Sequence, residues 1–508
     1  MTTLPSSRPL AEYRQALTCC LLESDSCSDA VAITGATADS RAVKPGYLFC
    51  AIRGAKLDGH DFIPQALAAG AAALVVERPV PGLPAGQPQL LVRDAYHAAA
   101  LVAEVAAGHP ARDLRLAAIT GTNGKTTSAY LLRAIFKAAG SCPGMIGTVE
   151  YDLGDGCPLP ADRTTPTPFQ LQELFARLRQ TAAEPVILEA SSHALAQKRL
   201  GTARCQGAIF TNLTRDHLDY HHDFESYYQA KKSLFTDVCL PLAHRVVNLD
   251  DPYGRRLATE LTTAGLPVTG FARKSGATAQ VTVDDIVASA EGSEFTLHFI
   301  DQGENLRLRT PLPGPYNIAN AAGVATLARL WGLTPQTITS ALANCQGAPG
   351  RLQKVSSPGL PFQVLVDYAH TDDALDNALT ALRHLAPSQL IAVFGCGGDR
   401  DRSKRPLMAR AAAKNADLVV VTSDNPRTEK PEDIIDEILT GLPAGAAHVA
   451  IADRRQAIRH ALTAAKPGAI VLIAGKGHED YQEINGVKHP FNDADVASEI
   501  IQELFPAR

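Results

Sequence analysis

The residues with the clearest chemical potential form a short loop that contains two glycines and a lysine. They are Gly121, Thr122, Asn123, Gly124, Lys125, Thr126 and Thr127. The loop follows the apolar run 114–120 and opens a segment with helical spacing of apolar residues. Glycines let backbone N–H groups approach phosphate oxygens, Lys125 supplies a positive charge and Thr126 can bind Mg²⁺. Ile119 stands where the general pattern G-x-x-x-x-G-K-[ST] has its first glycine, so the loop predicts a nucleoside triphosphate and leaves the reaction open.

Two strands of the predicted sheet end in residues that could bind a metal ion. Glu189 lies near the end of the apolar run 186–190, and the run 207–211 leads into Asn-Leu-Thr-Arg-Asp-His-Leu-Asp-Tyr-His at 212–221. A carboxylate at the carboxyl end of a parallel strand points into the crevice where ligands bind, so Glu189 could hold Mg²⁺ opposite the loop. Glu189 could instead be a helix N-cap or a surface acid. His217 could instead be a core or capping histidine, because Mg²⁺ prefers oxygen ligands to imidazole nitrogen.

Two further pairs of polar residues lie in predicted helices. Lys231 and Lys232 belong to the helical pattern 227–235, where neighbouring lysines usually form a solvated face. Asn317 and Asn320 are three residues apart at a predicted helix start and therefore share one face. Asparagine can read the edge of an adenine, and it can also cap a helix. Periodicity alone does not choose between these roles.

The composition excludes several classes of protein. The chain has 508 residues, 48 Lys plus Arg and 53 Asp plus Glu, and its formal net charge of −5 argues against a nucleic-acid-binding protein. The N-terminus shows no signal-peptide pattern, and no window reaches the ~18 apolar residues of a membrane span. Ten scattered cysteines without a Cys-x-x-Cys motif predict buried, reduced thiols rather than a disulfide framework or a zinc site. We therefore expect a cytoplasmic protein that neither inserts into membranes nor binds nucleic acid.

The pattern of strands and helices divides the chain into three α/β blocks, as its length suggests at about 150 residues per domain. The first block, 1–104, alternates short apolar runs with a helix over 62–70. The second, 105–345, contains the loop and several buried-strand candidates, which predict a parallel sheet, and an antiparallel excursion over 278–310. The third, 346–508, restarts the strand–helix alternation and predicts a doubly wound, Rossmann-like domain.

Motifs spread along the chain carry a family resemblance. In order they are ITGTNGKTT, EASSHAL, NLTRDHLDYH, AKKSLF, GPYNIANAAG, GRLQ, VDYAHTDDAL, FGCGGDRDRSKRP, SDNPRTEKP and AGKGHEDYQ. With these motifs the chain resembles the Mur ligase family, the ATP-dependent amide-forming enzymes of peptidoglycan synthesis, over essentially its full length. The resemblance implies a small N-terminal α/β uridine-nucleotide domain, a central P-loop ATPase-like parallel-sheet domain and a C-terminal Rossmann-like domain. It also implies ATP and Mg²⁺ as cofactors, and we expect a monomer.

The resemblance is closest to family members that add the third residue to UDP-N-acetylmuramoyl-L-alanyl-D-glutamate. It implies that the uridine end is bound by Ser40, Ala55, Lys56 and Leu57. The muramoyl-dipeptide end is assigned to Thr164, Thr165, Ser191, Gln197 and Arg199. Besides the loop, the implied ATP-binding residues are Asn317, Arg351, Asp367 and His370.

The same resemblance implies the catalytic residues, which are Lys125, Glu189, His217 and Lys231. Thr126 and Glu189 would bind one Mg²⁺, and His217 and Lys231 would bear on a second. Lys231 aligns with a lysine that relatives carry as a carbamate, a change that turns a cation into an anionic oxygen ligand. In the family's reaction, ATP phosphorylates the D-glutamate γ-carboxylate, and the amine of the incoming amino acid attacks the acyl phosphate.

The C-terminal block is implied to select the amino acid. Its residues are Arg400, Asp424, Asn425, Pro426, Arg427, Gly475 and Glu479. In the family, Asp-Asn-Pro-Arg marks the members that add meso-diaminopimelate, and here the motif stands intact. A guanidinium at Arg427 can clamp the far carboxylate of diaminopimelate, which lysine lacks, and Asp424 could balance the nearby ammonium.

Three alternatives remain: a family member that adds L-lysine, one that acts on another acceptor such as a folate, and a nucleotide-binding regulatory protein without turnover. The intact motif 424–427 argues against lysine, the uridine-type N-terminal block against folate, and the retained catalytic residues against a regulatory protein. One departure from the family is Asp372, which stands where relatives usually have proline and predicts a less rigid turn after His370.

Overall fold

A computed structural model describes residues 7–24, 29–54, 57–273, 279–289, 291–355 and 359–505, without the side chains of Glu23, Ser24 and Asp219. The chain folds into two compact units. The first comprises the described part of 1–271, 277–279 and 323–333, and the second that of 272–276, 280–322 and 334–508. The predicted block boundaries near 104 and 345 stay predictions.

The N-terminal part of the first unit is built on a five-stranded sheet with the strand order β2-β7-β6-β5-β4. Its long helix α3 (Ala95–Ala107) is capped at its start by Asp94, whose carboxylate accepts the backbone N–H of His97 at 3.1 Å, and at its end by Gly108, with φ of +75°. The elements are β1 (Arg8–Pro9), α1 (Leu10–Ala16), β2 (Leu21–Ser24), β3 (Ala32–Ile33), β4 (Gly35–Thr37), β5 (Tyr47–Cys50), α2 (Ile63–Ala68), β6 (Ala73–Val76), β7 (Gln89–Val92) and α3 (Ala95–Ala107).

A second sheet follows in the first unit, with the order β11-β10-β9-β12-β8-β13-β14-β15. Its elements are β8 (Leu116–Thr120), α4 (Lys125–Ala138), β9 (Gly144–Ile146), β10 (Glu150–Asp152), β11 (Leu159–Pro160), α5 (Pro168–Gln180), β12 (Val186–Glu189), α6 (Ser192–Ala196), β13 (Cys205–Phe210), α7 (Leu218–His221), α8 (Phe224–Ser233), β14 (Cys239–Asn248), α9 (Pro252–Thr263) and β15 (Thr269–Ala272). Neighbouring strands in the part of the sheet ordered β9-β12-β8-β13-β14-β15 are parallel, as predicted, with Glu189 opposite Ile119 and Phe210 opposite Thr120. The edge strands β10 and β11 are antiparallel. The carboxyl ends of β12, β8 and β13 therefore meet at one edge of the sheet.

The second unit contains an antiparallel sheet β16-β17-β18, which confirms the excursion predicted over 278–310. A six-stranded sheet follows, in the order β19-β20-β24-β21-β22-β23. The elements after β15, in chain order, are β16 (Val281–Ser289), β17 (Gly292–Phe299), β18 (Glu304–Thr310), α10 (Pro315–Leu330), whose residues from 323 on belong to the first unit, α11 (Pro335–Asn344), β19 (Gln353–Val355), β20 (Gln363–Asp367), α12 (Asp372–Arg383), β21 (Leu390–Phe394), α13 (Lys404–Asn415), β22 (Leu418–Val421), α14 (Pro431–Leu439), β23 (His448–Ala450), α15 (Arg454–Ala464), β24 (Ile470–Ala474), β25 (Tyr481–Ile484), β26 (Val487–Pro490) and α16 (Asp493–Leu504).

Both faces of the six-stranded sheet are apolar, because helices cover each of them. Along β21, Leu390, Ala392 and Phe394 join one buried cluster, whereas Ile391 and Val393 join another. Alternate side chains of a strand point to opposite faces, so a continuous apolar run is what a doubly covered parallel strand requires. The prediction of a Rossmann-like arrangement from such runs is confirmed.

The cysteines differ in part from the prediction of buried thiols. Of the nine cysteines that are described, five are buried, whereas Cys19, Cys142 and Cys157 are exposed. Within the described ranges, no helix is both long and apolar enough to cross a membrane.

A buried ion pair supports the strand ends of the six-stranded sheet. Arg454 and Asp493, both fully buried, make two hydrogen bonds of 2.7 Å, and the same guanidinium donates to the carbonyl oxygens of Ser423 and Ala474. Replacing Asp493 by alanine leaves a buried charge unpaired, so we expect Asp493→Ala to lower the free energy of unfolding by about 3–5 kcal/mol. Urea unfolding followed by far-UV circular dichroism measures this change.

The matched control is Asp495→Ala, which removes an exposed carboxylate from the same first turn of α16. Because both acids face the same helix dipole, the control separates the buried pair from the general effect of an acid at a helix start. Equal stabilities of the two variants would contradict the prediction.

Candidate active site

The glycine-rich loop lies between the end of β8 and the start of α4, as predicted. Gly121 has φ of +154°, and a Cβ there would collide with Oγ1 of Thr211, so only glycine fits. The end of β13 holds the loop from the side: Thr211 Oγ1 donates to the carbonyl oxygen of Asn123 at 2.6 Å, and Thr122 N donates to the carbonyl oxygen of Asn212 at 2.9 Å. Two neighbouring strand ends therefore shape the loop that is expected to bind phosphate.

Two lysine side chains converge on this loop from different helices. Lys125 Nζ donates to the carbonyl oxygens of Gly121 and Thr122, each at 2.8 Å. Lys231 Nζ, on α8, donates to the same Gly121 oxygen at 2.7 Å and lies 4.6 Å from the ring centre of Tyr227. Lys231 is 1% exposed, and burial, followed by the charge of Lys125, holds its pKa well below the ordinary value.

The neighbouring Lys232 has a different environment from Lys231. It is partly exposed and pairs with Glu260 at 2.8 Å. A solvated face, the usual role of neighbouring lysines, therefore describes Lys232 but is wrong for the buried Lys231. Lys231 therefore lies on the side of α8 that faces the phosphate loop.

Glu189 is fully buried at the end of β12, so the interpretations as a helix cap or a surface acid are wrong. The cap of α6 is Ser191 instead. The Glu189 carboxylate accepts hydrogen bonds from Oγ1 of Thr126 at 2.8 Å, from Oγ1 of Thr148 at 3.0 Å and from the backbone N–H of Thr148 at 2.9 Å. A Cβ on Gly147 would collide with this carboxylate.

These oxygens suit a hard divalent cation. Neighbouring ligands of octahedral Mg²⁺ lie roughly 2.9 Å apart when the bonds are 2.0–2.1 Å long. The 2.8 Å between Thr126 Oγ1 and Glu189 Oε2 matches that spacing. Thr148, which the sequence analysis missed, adds a further hydroxyl, and no local pattern in the sequence marks it.

His217 lies on the loop before α7 with φ of +53°. Its ring is half-exposed, so it is not a core histidine, and its side chain does not cap the helix. The ring centre lies 4.8 Å from that of His193 and 6.3 Å from that of Tyr227, the residue beneath Lys231. The side chains predicted to bear on a second metal ion thus contact one aromatic residue in common.

The residues assigned to the muramoyl-dipeptide end form one hydrogen-bonded network in the first unit. Thr165 Oγ1 donates to the carbonyl oxygen of Glu189 at 2.6 Å and accepts from the backbone N–H of Ser191 at 3.0 Å. Arg199 donates to the Thr165 carbonyl oxygen at 2.6 Å and to Gln197 Oε1 at 2.9 Å. Burial lowers the pKa of Arg199, and the network holds its charge beside the Glu189 strand end.

Three side chains extend this network. Thr164 contacts Thr148, with 3.1 Å between their hydroxyl oxygens. Gln197 donates to the hydroxyl of Tyr220 at 3.1 Å. The charge of Arg163 adds to burial in lowering the pKa of Arg199. Sequence reasoning missed Tyr220 and Arg163; Tyr220 lies inside a motif that it had already singled out.

The residues assigned to the uridine end are only partly described. Ser40 Oγ donates to Gln65 Oε1 at 2.9 Å. Leu57 is exposed, and its carbonyl oxygen accepts the backbone N–H of Gly54 at 2.8 Å. Ala55 and Lys56 lie outside the described residues.

In the second unit, the residues assigned to the amino acid surround the ends of β22 and β24. Asn425 Nδ2 donates to Glu479 Oε2 at 2.8 Å, and the buried Lys476 bonds both of them, at 3.2 and 3.1 Å. A Cβ on Gly475, whose φ is +115°, would lie 2.6 Å from Asp424 Oδ2. Lys476 was missed by sequence reasoning, although it lies within a quoted motif.

Arg427 is held by both its backbone and its side chain. Its φ is +50°, its N–H donates to the carbonyl oxygen of Glu483, and Nη1 donates to the carbonyl oxygen of Gly398 at 2.7 Å. Nε lies 3.4 Å from Glu483 Oε2. Arg400 is exposed. It lies close to Arg427, because a Cβ on Gly397 would be 3.9 Å from Arg400 Cγ and 2.9 Å from Arg427 Nη1. The carbonyl oxygen of Pro426 packs against Gly398.

The residues assigned to ATP in the second unit cluster around Tyr368. Its ring centre lies 4.9 Å from the Arg351 guanidinium, 4.6 Å from the ring of His370 and 5.1 Å from that of His478. Burial raises the pKa of Asp367, although the charge of Arg351 and two backbone N–H donors act in the opposite direction. Burial lowers the pKa of His478 to about 4. Sequence reasoning missed Tyr368 and His478.

Asn317 is buried and donates to the carbonyl oxygen of Pro313 at 2.8 Å, while accepting from Asn320 at 3.3 Å.

The departure from the family at Asp372 lies at the start of a helix. Asp372 is the first residue of α12, a position that suits proline and where an acid is favoured by the helix dipole. Thr371 caps this helix, accepting the backbone N–H of Ala374 at 3.2 Å, and the less rigid turn after His370 stays a prediction.

Comparison with known proteins gives the chain its family. Three family models match it, described as "Mur ligase family, catalytic domain" over 32–109, "Mur ligase middle domain" over 119–328 and "Mur ligase, glutamate ligase domain" over 350–477. Relatives from Gloeobacter violaceus and Streptomyces coelicolor, both named UDP-N-acetylmuramoyl-L-alanyl-D-glutamate--2,6-diaminopimelate ligase, are each 43% identical. The first match covers 93% of this chain and 94% of the relative, and the second covers 93% of each.

Solved structures agree with this assignment. A structure of an enzyme with the same name is 34% identical, covers 99% of this chain and 100% of its own, and superposes with a TM-score of 0.69. A ligase of Thermotoga maritima in complex with ADP, named MurF, is 19% identical, covers 92% of this chain and 97% of its own, and shows the shared fold with a TM-score of 0.58. The chain belongs to the Mur ligase family and has its three-domain α/β architecture.

Proposed function

We propose that this protein is an ATP-dependent ligase that joins meso-2,6-diaminopimelate to UDP-N-acetylmuramoyl-L-alanyl-D-glutamate in peptidoglycan precursor synthesis. The observation that carries the proposal is the 43% identity over 93% of the chain to ligases named for this reaction. The intact Asp424-Asn425-Pro426-Arg427 supports the choice of amino acid. ATP and a uridine-nucleotide sugar are cytoplasmic metabolites, so we place the reaction in the cytoplasm and expect a monomer to perform it.

The first step transfers the γ-phosphoryl group of ATP to the γ-carboxylate of D-glutamate, giving an acyl phosphate and ADP. Phosphoryl transfer depends mainly on positioning and on neutralising negative charge. Backbone N–H groups of the loop that ends at Gly124 would bind phosphate oxygens, and Lys125 Nζ would leave its two carbonyl partners for them. Thr165, Ser191 and Arg199 would hold the dipeptide carboxylate.

Magnesium fits the oxygen donors beside the loop. Thr126 and Glu189 would hold one ion, and His217 together with Lys231 as its carbamate would hold a second. The ions would supply positive charge next to the transferring phosphoryl group. The buried position of Lys231, against the Gly121 carbonyl oxygen and the Tyr227 ring, supports its assignment over Lys232.

In the second step the amine of the amino acid attacks the acyl carbon, inorganic phosphate leaves, and the nitrogen loses a proton as the amide forms. The chain's task is to orient the amine and to recognise the far end of the amino acid. Asp424 and Glu479 would pair with ammonium groups, and Arg427 and Arg400 with carboxylates. Lys476 and Asn425 would keep Glu479 in place.

The test is phosphate release with the UDP-linked dipeptide, ATP, Mg²⁺ and one amino acid at a time. We expect turnover with meso-diaminopimelate and a kcat/KM at least about 10³-fold lower with L-lysine, because a site built for a polar group is left unpaired by an analogue that lacks it. Equal values would overturn the specificity and favour the lysine-adding alternative. No phosphate release with either amino acid would overturn the proposed reaction.

A further inference from the structure

Three metal-capable side chains lie together outside the candidate active site. Sγ of Cys19, Sγ of Cys20 and a ring nitrogen of His97 are all within 4.8 Å of one another. In the described part of the chain, no other group of three or more His, Cys, Asp or Glu side chains was found to meet this criterion. Neither the proposed reaction nor the family resemblance uses these residues.

The fold holds this cluster from both sides. The two cysteines lie in the turn between α1 and β2, where Cys20 N donates to the Leu17 carbonyl oxygen at 2.9 Å and the Cys20 carbonyl oxygen accepts from Arg93 at 2.8 Å. His97 lies in the first turn of α3, and its N–H is bonded to the cap residue Asp94. Pairing of β2 with β7 brings the turn and the helix start together, so the three donors are placed before any ion binds.

The donor set selects a borderline or soft metal ion. Two thiolates and one imidazole are typical zinc ligands, whereas Mg²⁺ requires oxygen. Ligand atoms on one tetrahedral zinc ion lie roughly 3.5–3.8 Å apart, given bonds of 2.3 Å to sulfur and 2.0–2.1 Å to nitrogen. A closure of about 1 Å by side-chain rotation would therefore complete the geometry. Cys19 is exposed, which leaves the fourth position open to water.

We propose that Cys19, Cys20 and His97 form a three-ligand Zn²⁺ site in the N-terminal part of the chain. No zinc site was expected because the chain has no Cys-x-x-Cys motif. The contribution of His97 to the cluster depends on the pairing of β2 with β7. Burial raises the pKa of Cys20 to about 12, so zinc must displace a proton there. Burial and the charge of Lys198 lower the pKa of His97, which favours the neutral imidazole that binds metals.

The direct test is a titration of the reduced, full-length chain with Co²⁺ and then Zn²⁺, in excess Mg²⁺ so that oxygen sites are filled. We expect about one equivalent of Co²⁺ to give a thiolate-to-cobalt charge-transfer band and the intense d–d bands of a tetrahedral site, both lost when Zn²⁺ is added. Competition with a chromophoric chelator should give a Zn²⁺ Kd below about 1 μM. A chain that shows no charge-transfer band would overturn the proposal.

Variants assign the signal to the cluster. Cys19→Ser removes an exposed thiol and should abolish the band or halve its intensity, and both Cys19→Ser and His97→Asn should weaken Zn²⁺ binding at least about 10-fold. The matched control Cys157→Ser, at an exposed cysteine elsewhere in the chain, should bind like the unmodified protein. Zinc should also raise the unfolding temperature of the unmodified protein by about a few degrees, and it should raise that of Cys19→Ser by less at the same zinc concentration. Unchanged affinity in both cluster variants would show that zinc binds elsewhere.

Discussion

Replacing Lys231 by alanine is expected to lower kcat by about 10²–10³-fold, the loss seen when one preorganised charge-stabilising group is removed from an active site. The amine of Lys231 is buried beneath the phosphate loop, bonded to the Gly121 carbonyl oxygen and lying over the Tyr227 ring. On the proposal, its carbamate is an anionic ligand of a second Mg²⁺, which neither alanine nor the neighbouring side chains replace. The measurement is amino-acid-dependent phosphate release at saturating substrates.

The control for this variant is Lys232→Ala, one residue along the same helix. Lys232 is partly exposed and pairs with Glu260 at 2.8 Å, so its loss removes a surface ion pair of small energy. We expect its kcat to stay within about twofold of the unmodified enzyme, since no phosphate contact is assigned to it. Equal losses in the two variants would point to a general disturbance of α8.

Rescue separates the carbamate from a merely structural lysine. A short carboxylic acid can enter the space that the alanine leaves and supply the missing oxygen ligands, so added formate or acetate should restore part of the lost activity of Lys231→Ala. It should do nothing for a variant of the loop such as Lys125→Ala, where a cation is missing. Full activity of Lys231→Ala without any additive would remove the role assigned to Lys231.

The phosphate loop and Glu189 could be predicted as candidate ligand-binding residues because each belongs to a contiguous motif, whereas Lys231 was singled out only through the family resemblance. A strand, a tight turn and a helix start are local structures, and the edge to which parallel strand ends point follows from topology alone. Thr148 was missed because tertiary packing, not spacing, brings it beside Glu189. Tyr220 and Tyr368 lie inside quoted motifs, but tertiary packing within each unit brings them to Gln197 and to Arg351, respectively. Glu189 shows the difference: its position at a strand end was visible, but its burial under two threonine hydroxyls was not.

The hairpin formed by β25 and β26 was missed although the sequence contained its signal. Asn485 and Gly486 occupy its turn with φ of +50° and +77°, the two positive values that an Asn-Gly hairpin turn requires. The strands are short and polar, with little apolar alternation to mark them. This hairpin carries Glu483, which bonds Arg427 through both backbone and side chain, so the missed element positions the residue on which the predicted specificity depends.

The second large effect is expected at that residue. Arg427→Lys should raise the KM for meso-diaminopimelate about 10- to 100-fold, the value of a charge-assisted, bidentate hydrogen-bond pair of roughly 1.5–3 kcal/mol. The Gly398 carbonyl oxygen and the Glu483 carboxylate fix the guanidinium plane, leaving other N–H groups for a carboxylate. A lysine ammonium keeps the charge but loses the planar fork. The KM for ATP should stay within about twofold, because no ATP contact is assigned to Arg427.

Arg402→Lys is the control for this change. Arg402 is exposed and pairs with Glu437 in the same unit, so exchanging it tests the effect of an arginine-to-lysine substitution without touching the proposed clamp. Its KM for meso-diaminopimelate should match that of the unmodified enzyme. A comparable rise in both variants would contradict the assignment of Arg427.

L-Lysine as a substrate makes the prediction about Arg427 specific to one carboxylate. Lysine lacks the far carboxylate, so it gains nothing from the clamp, and Arg427→Lys should leave its low kcat/KM within about twofold of the starting value. The ratio of kcat/KM for the two amino acids should then fall by the same factor by which meso-diaminopimelate loses. If both amino acids lost equally, Arg427 would be acting on the shared amino-acid end or on the hairpin, and the discrimination would have to come from Arg400.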